Sequence, residues 1–370
     1  MLDLRMERQP AKSAAFLCCS VAQGEVTVSH FQAAFYEGGQ TIRIGECTPV
    51  PPEPSEVQIK VSYCGICGTD LHVFHGAMDH RVHIPQILGH EMSGTIAALG
   101  SVVEGFAPGD RVTVRPLAPC GDCPACRAGH SHICHKLKFI GIDTPGALQG
   151  LWTVPAHTLH HLPGSLSLAH GALIEPIAVA CHDVRLGGVT QGEYVVVLGG
   201  GPIGLLVGLV AQSHGACVVV SEVNPFRVRL AREFGLDAIN PLEVDLGQKV
   251  MDETSAAGAD LVFEVSGSIA GAEMVTKLAR TRGRIVVVAI FSQPVKLDLF
   301  RFFWRELQLR GARVYEPEDF ETAIALAASG TLPLERIVTS VQPLGALSDA
   351  MHQLEQGGPV MKILVRCSEN

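Results

Sequence analysis

Four cysteines crowd into one short segment of this 370-residue sequence. They follow the spacing C-x2-C-x2-C-x7-C, and such a density of thiols in one loop is typical of a metal site and not of disulfides. Four thiolates form a closed tetrahedral shell around Zn2+, which leaves no open position for a substrate. The segment therefore predicts a structural zinc bound by Cys120, Cys123, Cys126 and Cys134. With four thiolates in place, we expect the neighbouring His130, His132 and His135 to be surface residues.

A glycine-rich turn forms the second candidate site. Residues 199–204 read Gly-Gly-Gly-Pro-Ile-Gly, which satisfies G-x-G-x-x-G between a predicted strand and a predicted helix. In such a turn Gly199 allows the tight bend, Gly201 lets the backbone approach a pyrophosphate, and Gly204 lets the helix pack closely on the strand. The N-terminus of the helix presents unpaired N–H groups to the phosphates. This pattern predicts a dinucleotide site.

The identity of the dinucleotide depends on the end of the next predicted strand. Glu222 lies there, eighteen residues after Gly204. Its carboxylate can accept hydrogen bonds from the ribose hydroxyls and would repel a 2′-phosphate, so NAD is favoured over NADP. Arg227 is interpreted either as a residue over the adenine or as a surface residue. The predicted cofactor-binding residues are Gly199, Gly201, Pro202, Ile203, Gly204, Glu222 and Arg227.

A third group of metal-binding residue types is spread along the chain. Cys67 follows Cys64-Gly-Ile, and further on the sequence contains Gly89-His90-Glu91 and Glu175-Pro176. A mixed set of sulfur, nitrogen and oxygen ligands suits a catalytic zinc, which keeps one position open for substrate. Spacing alone does not bring these residues together, so this site is a hypothesis. Cys64-x-x-Cys67 also fits a redox pair, although no thioredoxin-like βαβ pattern surrounds it.

Composition restricts the class of protein. The formal net charge is −9, with 47% hydrophobic and 18% charged residues, which is ordinary for a soluble globular chain. An acidic balance argues against sequence-independent nucleic-acid binding or anionic-membrane binding. No apolar run approaches the roughly 18 residues of a membrane span. Twelve cysteines without a clear signal peptide indicate a reducing cytoplasm, and residues 1–30 are treated as an N-terminal extension.

The elements that must position these residues change in character along the chain. Residues 31–116 predict short strands separated by turns, followed by a loop-like segment over 117–150. After residue 170 strands and helices alternate, which is typical of a doubly wound α/β domain. The predicted strands are Val57–Val61, Thr95–Leu99, Arg111–Val114, Tyr194–Leu198, Cys217–Ser221, Asp260–Glu264, Arg284–Ile290, Leu307–Tyr315, Ile337–Val341 and Lys362–Val365. The predicted helices are Pro202–His214, Arg227–Phe234, Ile269–Thr281, Asp319–Ser329 and Gly345–Glu355.

The order of these motifs resembles the zinc-dependent medium-chain alcohol dehydrogenase superfamily over about residues 32–367. Besides the cysteine segment and the glycine turn, the resemblance includes Cys67-Gly-Thr-Asp-Leu-His72, Gly89-His90-Glu91, Gly109-Asp110-Arg111-Val112 and Glu175-Pro176. It implies a GroES-like β-barrel catalytic domain over residues 31–180, with the structural zinc lobe at 117–137. It further implies a Rossmann NAD-binding domain with a parallel sheet over 181–317 and a C-terminal return to the catalytic domain over 318–370.

Glu175-Pro176 is similar to the polyol branch of sorbitol, butanediol and threonine dehydrogenases, because classical members have a cysteine ligand at that place. The resemblance implies a catalytic zinc bound from Cys67, His90, Glu91 and Glu175, and leaves open which glutamate yields to water. The implied reaction is oxidation of a secondary alcohol, with hydride passing from a zinc-bound alkoxide to NAD. Thr69 and His72 match the positions that pass the proton outward, and Asp70 is interpreted as a capping residue.

Two departures bear on the substrate. Residues 146–151 lack the Glu-Tyr pair that many members have before Val154-Pro155-Ala156, and Val314-Tyr315 stands where sorbitol-type members have Arg-Tyr. Both argue against a long sugar alcohol, but a diol, polyol or amino alcohol remains. Phe74, Trp152 and Phe303 are pocket-wall candidates, although apolar core is the default interpretation for each.

Two alternatives keep the fold and change the activity. One is a zinc-free quinone or enoyl reductase, which the ligands Cys67, His90 and Glu91 argue against. The other is a nucleotide-binding protein without activity. The expected partners are a small alcohol or polyol and further copies of this chain, since relatives are dimers or tetramers and the apolar edge Leu307–Tyr315 could pair between subunits. No nucleic acid or membrane partner is expected.

Overall fold

The computed structural model describes residues 31–368, so the N-terminal extension lies outside the described residues. Its first part, to residue 187, is mostly β-structure with short helices. The strands β1 to β10 are Phe31–Tyr36, Ile42–Cys47, Glu56–Gly65, Gln86–Ile87, Glu91–Leu99, Arg111–Val114, Leu117–Ala118, Lys138–Phe139, Leu151–Pro155 and Leu159–His161. The helices α1 to α4 are Gly68–Phe74, Pro124–Arg127, Leu168–Gly171 and Ile174–Gly187.

The middle part alternates strands with helices. The strands β11 to β16 are Tyr194–Leu198, Cys217–Ser221, Asp237–Ile239, Ala259–Glu264, Ala279–Val287 and Gln308–Gly311. The helices α5 to α9 are Pro202–Ser213, Pro225–Glu233, Leu246–Glu253, Ile269–Leu278 and Leu299–Arg305. All six of these strands are parallel, in the order β13-β12-β11-β14-β15-β16. Val195, Val196 and Val197 of β11 are fully buried because helices cover both faces of such a sheet.

The last part returns to the first. It comprises the helices α10 to α12, Pro317–Ala328, Leu334–Ile337 and Leu347–Gln356, and the strands β17 and β18, Val338–Pro343 and Lys362–Arg366. β18 pairs antiparallel with β3, so that the chain end joins the sheet β10-β6-β5-β3-β18-β17, while β9 pairs with β3 as well. Because of this pairing, residues some 300 positions apart in sequence become neighbours beside Gly65.

Most predicted elements lie within a few residues of the observed ones, and two predictions are wrong in extent. The predicted helix over 269–281 ends at Leu278, because the chain from Ala279 already pairs with β14 before an irregularity in the register. The predicted strand over 307–315 is only β16, Gln308–Gly311. Beyond it Val314 has a φ of +51°, a strained value for a β-branched residue, and this turn directs Tyr315 into the interior.

The fold of the described residues thus contains a mainly antiparallel region, in which only β17 and β18 pair parallel, and a doubly wound parallel sheet, in agreement with the two-domain α/β fold expected from the sequence. None of the helices in residues 31–368 is both long enough and apolar enough to span a bilayer.

Candidate active site

Three of the dispersed ligand candidates meet where β3 and β5 pair. Gly65 at the end of β3 faces Glu91 at the start of β5, and Cys67 follows Gly65 closely as the N-cap of α1. The ligand atoms of Cys67, His90 and Glu91 all lie within 4.8 Å of one another. A Cβ on Gly65 would lie 2.2 Å from Oε2 of Glu91, so only glycine leaves room for this carboxylate.

Asp70 holds two of these residues in place. Its Oδ2 accepts a hydrogen bond from the backbone N–H of Cys67 at 2.9 Å, which confirms the capping role predicted for it. Its Oδ1 lies 3.6 Å from Nδ1 of His90. A carboxylate on that side favours the proton on Nδ1, and Nε2 is then available to bind a cation. The structure therefore gives Asp70 an orienting role that the sequence did not indicate.

Lys362 is a member of this site that sequence reasoning missed. It is 2% exposed, forms an ion pair with Oε2 of Glu91, and donates a hydrogen bond to the carbonyl of Ile66 at 3.0 Å. Burial opposes the charge, but the proximity of Glu91 raises the pKa of Lys362. The sequence contained no local signal for this contact, because Lys362 belongs to β18 at the other end of the chain.

Glu175 lies in the first turn of α4 and is 4% exposed. Tyr315 donates a hydrogen bond from its hydroxyl to Oε1 of Glu175 at 2.8 Å. Burial raises the pKa of Glu175 to about 7. Glu175 does not belong to the close cluster of Cys67, His90 and Glu91, so the structure sets the two glutamates apart.

The cluster fits a zinc ion. A thiol, an imidazole and a carboxylate are the ligand types that catalytic zinc sites use. Oε2 of Glu91 is ion-paired with Lys362, whereas Oε1 has no donor within the described chain. Buried acceptors without donors are costly unless a cation or water satisfies them. A metal ion coordinated by Cys67, His90 and Glu91 would satisfy this acceptor.

The four cysteines of the second cluster also converge. Their sulfur atoms lie within 4.8 Å of one another, with 3.4 Å between Cys120 and Cys134 and 3.8 Å between Cys123 and Cys134. All four thiols are free. Backbone hydrogen bonds from Cys126 and His135 lower the pKa of Cys123 to about 6. A lowered pKa favours the thiolate, which is the form that binds zinc.

The glycine turn has the geometry that the fingerprint predicts. Gly199 has a φ of +100°, and a Cβ on Gly204 would lie 1.8 Å from the carbonyl oxygen of Gly199. Glu222 is buried at the end of β12, where Oε2 accepts the N–H of Gly200 at 2.8 Å and Oε1 accepts that of Asn224 at 2.7 Å. These bonds fix the carboxylate beside the turn.

One cleft connects the turn with the metal cluster. Its volume is about 240 Å3. Cys67, Glu91 and Lys362 line one side, and the turn from Gly201 to Gly204 lines the other. Arg227 lies on the dinucleotide side of the cleft, which favours its cofactor interpretation over the surface one. The cleft thus joins the candidate dinucleotide turn to the candidate metal cluster.

The two predicted proton-relay residues both lie in α1. The Sγ of Cys67 is 3.7 Å from Oγ1 of Thr69, and His72 is exposed one turn further along the helix. A hydroxyl next to the metal cluster and a solvent-exposed imidazole on the same helix are the two types of group that a proton relay needs.

A buried cluster outside the cleft joins the zinc lobe to α4 and α10. His182 and Asp319 are in contact at 2.8 Å, and Arg185 donates to both oxygens of Asp319 at 2.7 and 2.9 Å. Arg185 also pairs with Glu316, and Nδ1 of His132 lies 3.5 Å from that carboxylate. His132 is only 8% exposed, so the prediction of a surface histidine is wrong for it. Its ring packs against His182 at 5.2 Å, a contact made only in the folded chain.

The aromatic candidates divide clearly. Phe74 and Trp152 are buried core residues, at 0% and 3% exposure. Phe303 is 77% exposed on α9, so neither the core nor the pocket interpretation is right for it.

Comparison with known proteins agrees with this geometry. Residues 53–164 match the family described as alcohol dehydrogenase GroES-like domain, and residues 202–329 match the family described as zinc-binding dehydrogenase. The chain belongs to the zinc-dependent medium-chain alcohol dehydrogenase superfamily. Its curated relatives place this dehydrogenase in the polyol branch, as an oxidoreductase that acts on secondary alcohols with zinc and a nicotinamide cofactor.

Three similar proteins illustrate the match. The dehydrogenase is 51% identical to the 2-dehydro-3-deoxy-L-galactonate 5-dehydrogenase of Pseudoalteromonas atlantica, over 91% of this chain and 98% of that protein. It is 35% identical to the sorbitol dehydrogenase of Halalkalibacterium halodurans, over 85% of this chain and 93% of that protein. A crystal structure from Sinorhizobium meliloti, described as a zinc-binding dehydrogenase bound to NADP, has a TM-score of 0.86 and 32% identity. The match covers 91% of this chain and 99% of that protein.

Proposed function

We propose that this dehydrogenase oxidises a secondary hydroxyl of a sugar acid, a 2-dehydro-3-deoxy-hexonate, with NAD as the hydride acceptor. The single observation that carries the proposal is the cleft in which Cys67, Glu91 and Lys362 face the dinucleotide turn. The sugar acid is suggested by the substrate in the name of the Pseudoalteromonas relative. A deoxy acid also agrees with the two departures from the sorbitol-type pattern.

The proposed cofactor is NAD because of Glu222. Its carboxylate is buried and held by two backbone N–H groups, so it cannot turn away to admit a 2′-phosphate. The charge repulsion therefore stays in place, and the ribose hydroxyls find an acceptor. The NADP of the Sinorhizobium structure belongs to that protein.

Two zinc ions per chain are proposed. Cys67, His90 and Glu91 would hold the catalytic ion, with Glu175 as the alternative oxygen ligand, and the four cysteines would hold the structural ion. Zinc at the first site would make the substrate hydroxyl more acidic and so assist hydride loss from the carbon. The Thr69 hydroxyl beside Cys67 would relay the proton of the substrate hydroxyl, accepting it while passing its own proton on, and the His72 imidazole would take up that proton and release it to solvent. Asp70 orients His90, and Lys362 holds Glu91 in place.

The proposed domains are a catalytic domain of residues 31–180 with the zinc lobe at 117–137, a Rossmann domain of 181–317, and the return of 318–370. We further propose a homodimer, or a homotetramer built from such dimers, in the cytoplasm. The edge strand β16 supports this, because its backbone groups face outward and an exposed apolar helix, α9, lies next to it.

The experiment that tests the function is NADH formation by the zinc-loaded full chain with 2-dehydro-3-deoxy-hexonates, sorbitol, 2,3-butanediol and threonine. We expect the highest kcat/KM for a sugar acid, with NAD preferred over NADP. A higher kcat/KM for butanediol or threonine would contradict the sugar-acid proposal and leave the dehydrogenase activity intact.

A further inference from the structure

Arg115 is a partly buried cation that no step so far uses. It directly follows β6, and its N–H donates to the carbonyl of Thr158 at 2.7 Å, which continues the pairing of β6 with β10. In that pairing Thr113 faces His160. Because side chains alternate along a strand, Arg115 lies on the same face of the sheet as Thr113 and His160.

That face is covered by α10 and by Tyr315. The ring of His160 lies 4.9 Å from that of Phe320, which in turn lies 5.0 Å from the ring of Tyr315. The Tyr315 hydroxyl holds Glu175, so this row of contacts leads from the face that Arg115 shares with His160 to Glu175. Burial raises the pKa of the Tyr315 phenol, and the positive charge of Arg115 partly opposes this rise.

The charge of Arg115 has no counter-charge in the described chain. No carboxylate of residues 31–368 lies within ion-pair distance, and its buried Nε has no hydrogen-bond acceptor there. Burial lowers the pKa of Arg115. The acids of the neighbouring residues have other partners, since Glu175 accepts from Tyr315 and Glu321 contacts His160 at 2.6 Å.

An unpaired, partly buried guanidinium is costly for the folded chain unless an anion joins it. Both cations that line the cleft already have a role. Lys362 pairs with Glu91, and Arg227 lies on the dinucleotide side. A guanidinium can also bind a carboxylate through two parallel hydrogen bonds.

We propose that Arg115 binds the carboxylate of the substrate, which makes it the residue that selects sugar acids over neutral polyols. The acid end of the substrate then lies beside Arg115 and Tyr315, while its reacting hydroxyl lies at Cys67, His90 and Glu91. This inference rests on the proposed function and deepens it, because it assigns recognition of the acid to one side chain.

The test compares the wild-type full chain, zinc-loaded and supplied with NAD, with Arg115→Met and Arg115→Lys. Each is assayed with a 2-dehydro-3-deoxy-hexonate and with the neutral amide of the same acid. We expect Arg115→Met to reduce the preference for the acid about 100-fold, mostly through KM, since one partner of a charged pair is removed. Arg115→Lys should retain part of the preference, because it keeps the charge but loses the paired geometry. Arg229→Met removes an exposed arginine of α6 and should leave the preference unchanged.

Calorimetry with the 5-deoxy analogue of the acid provides a readout without turnover, and Arg115→Met should weaken its binding by a similar factor. An acid preference that survives in Arg115→Met would overturn the role of Arg115 and leave the proposed function standing. Equal losses for acid and amide would also overturn it, because they indicate a structural role. If the wild type oxidises neither compound, the proposed function fails, and the calorimetry alone then decides whether Arg115 binds the acid.

Discussion

At the scale of single residues, the metal cluster is built from side chains that constrain one another. Asp70 contacts both Cys67 and His90, and Lys362 contacts Glu91 and the carbonyl of Ile66. Each ligand is thus held by a second group, which fixes its orientation before a metal binds. A change in any one ligand should therefore be felt mainly in metal binding and turnover.

Cys67→Ser tests the catalytic zinc directly. A serine hydroxyl is a poor zinc ligand, so we expect one zinc per chain in place of two and a loss of kcat/KM on the order of 10³-fold. Zinc content by mass spectrometry and the rate of NADH formation measure the two effects. Cys217→Ser, at an exposed thiol, is the matched control and should retain both. Full activity in Cys67→Ser would favour a zinc-free reductase.

Glu222→Gln tests the cofactor preference. The amide keeps one acceptor but loses the charge that holds two backbone N–H groups and repels a 2′-phosphate. We expect kcat/KM for NAD to fall about tenfold relative to NADP, the size of a charged hydrogen bond. Glu273→Gln, an exposed change on α8, should leave the ratio of the two cofactors unaltered. A ratio that does not change in Glu222→Gln would remove the argument for NAD.

At the scale of elements, the position of Tyr315 depends on how α10 is fixed to α4. Asp319 in the first turn of α10 contacts His182 and Arg185 of α4, and its backbone partner Glu316 directly follows Tyr315. The strained turn at Val314 is followed directly by residues of this cluster, whose contacts with α4 hold the turn in place. His132 of the zinc lobe contacts Glu316 of this cluster. The cluster of polar side chains therefore connects the zinc lobe, α4 and α10.

Asp319→Asn should destabilise the protein in a pH-dependent way. Burial alone would raise the pKa of Asp319, but hydrogen bonds from Arg185 and His182 outweigh it and hold the pKa well below 3.8. A lowered folded-state pKa stabilises the fold above the unfolded pKa, and this contribution disappears as the pH falls through the folded value. We expect a loss of about 3 kcal/mol at pH 7, as for a broken buried ion pair.

Denaturant unfolding measured from pH 7 to pH 3 checks this prediction. The difference between wild type and Asp319→Asn should shrink below about pH 4, the ordinary aspartate pKa being 3.8. Glu318→Gln is the control, because Glu318 makes only an exposed pair with Arg185 and should change stability little. A pH-independent difference would show that the charge of Asp319 is not the cause.

At the scale of the whole molecule, one apolar surface has no cover in the described chain. Leu299, Phe300, Phe303 and Trp304 of α9 are 65–77% exposed, next to the edge strand β16. Contiguous exposed apolar groups of this kind usually mark an interface. A second copy of the chain, paired edge to edge through β16, would cover them and join the two sheets into one.

The double change Phe303→Asp and Trp304→Asp should therefore produce a monomer. Two charges placed in an apolar interface would each have to be buried without a partner, which is strongly unfavourable. Sedimentation velocity measures the change in mass. Leu242→Asp, at another apolar residue that is 80% exposed, should leave the oligomer intact. An unchanged oligomer in the double variant would place the interface elsewhere.

The sequence by itself determined the sites whose residues are close together in the chain. Cys120 to Cys134 and Gly199 to Gly204 each lie within one loop or turn, so their spacing already restricts their geometry. The buried strand Tyr194–Leu198 could also be predicted, because a continuous run of β-branched residues is typical of a strand that is covered on both faces. Backbone conformation over a few residues decides such features, and residue type controls it.

Only the tertiary structure decided which distant residues complete the active site. Lys362 and Ile66 are 296 positions apart, and Tyr315 and Glu175 are 140 apart. Their contacts depend on the pairing of β18 with β3 and on the turn at Val314. The burial of His132 and the unpaired charge of Arg115 follow from the same long-range packing. A local pattern cannot encode these contacts, because their energies arise when elements from opposite ends of the chain exclude water from one site.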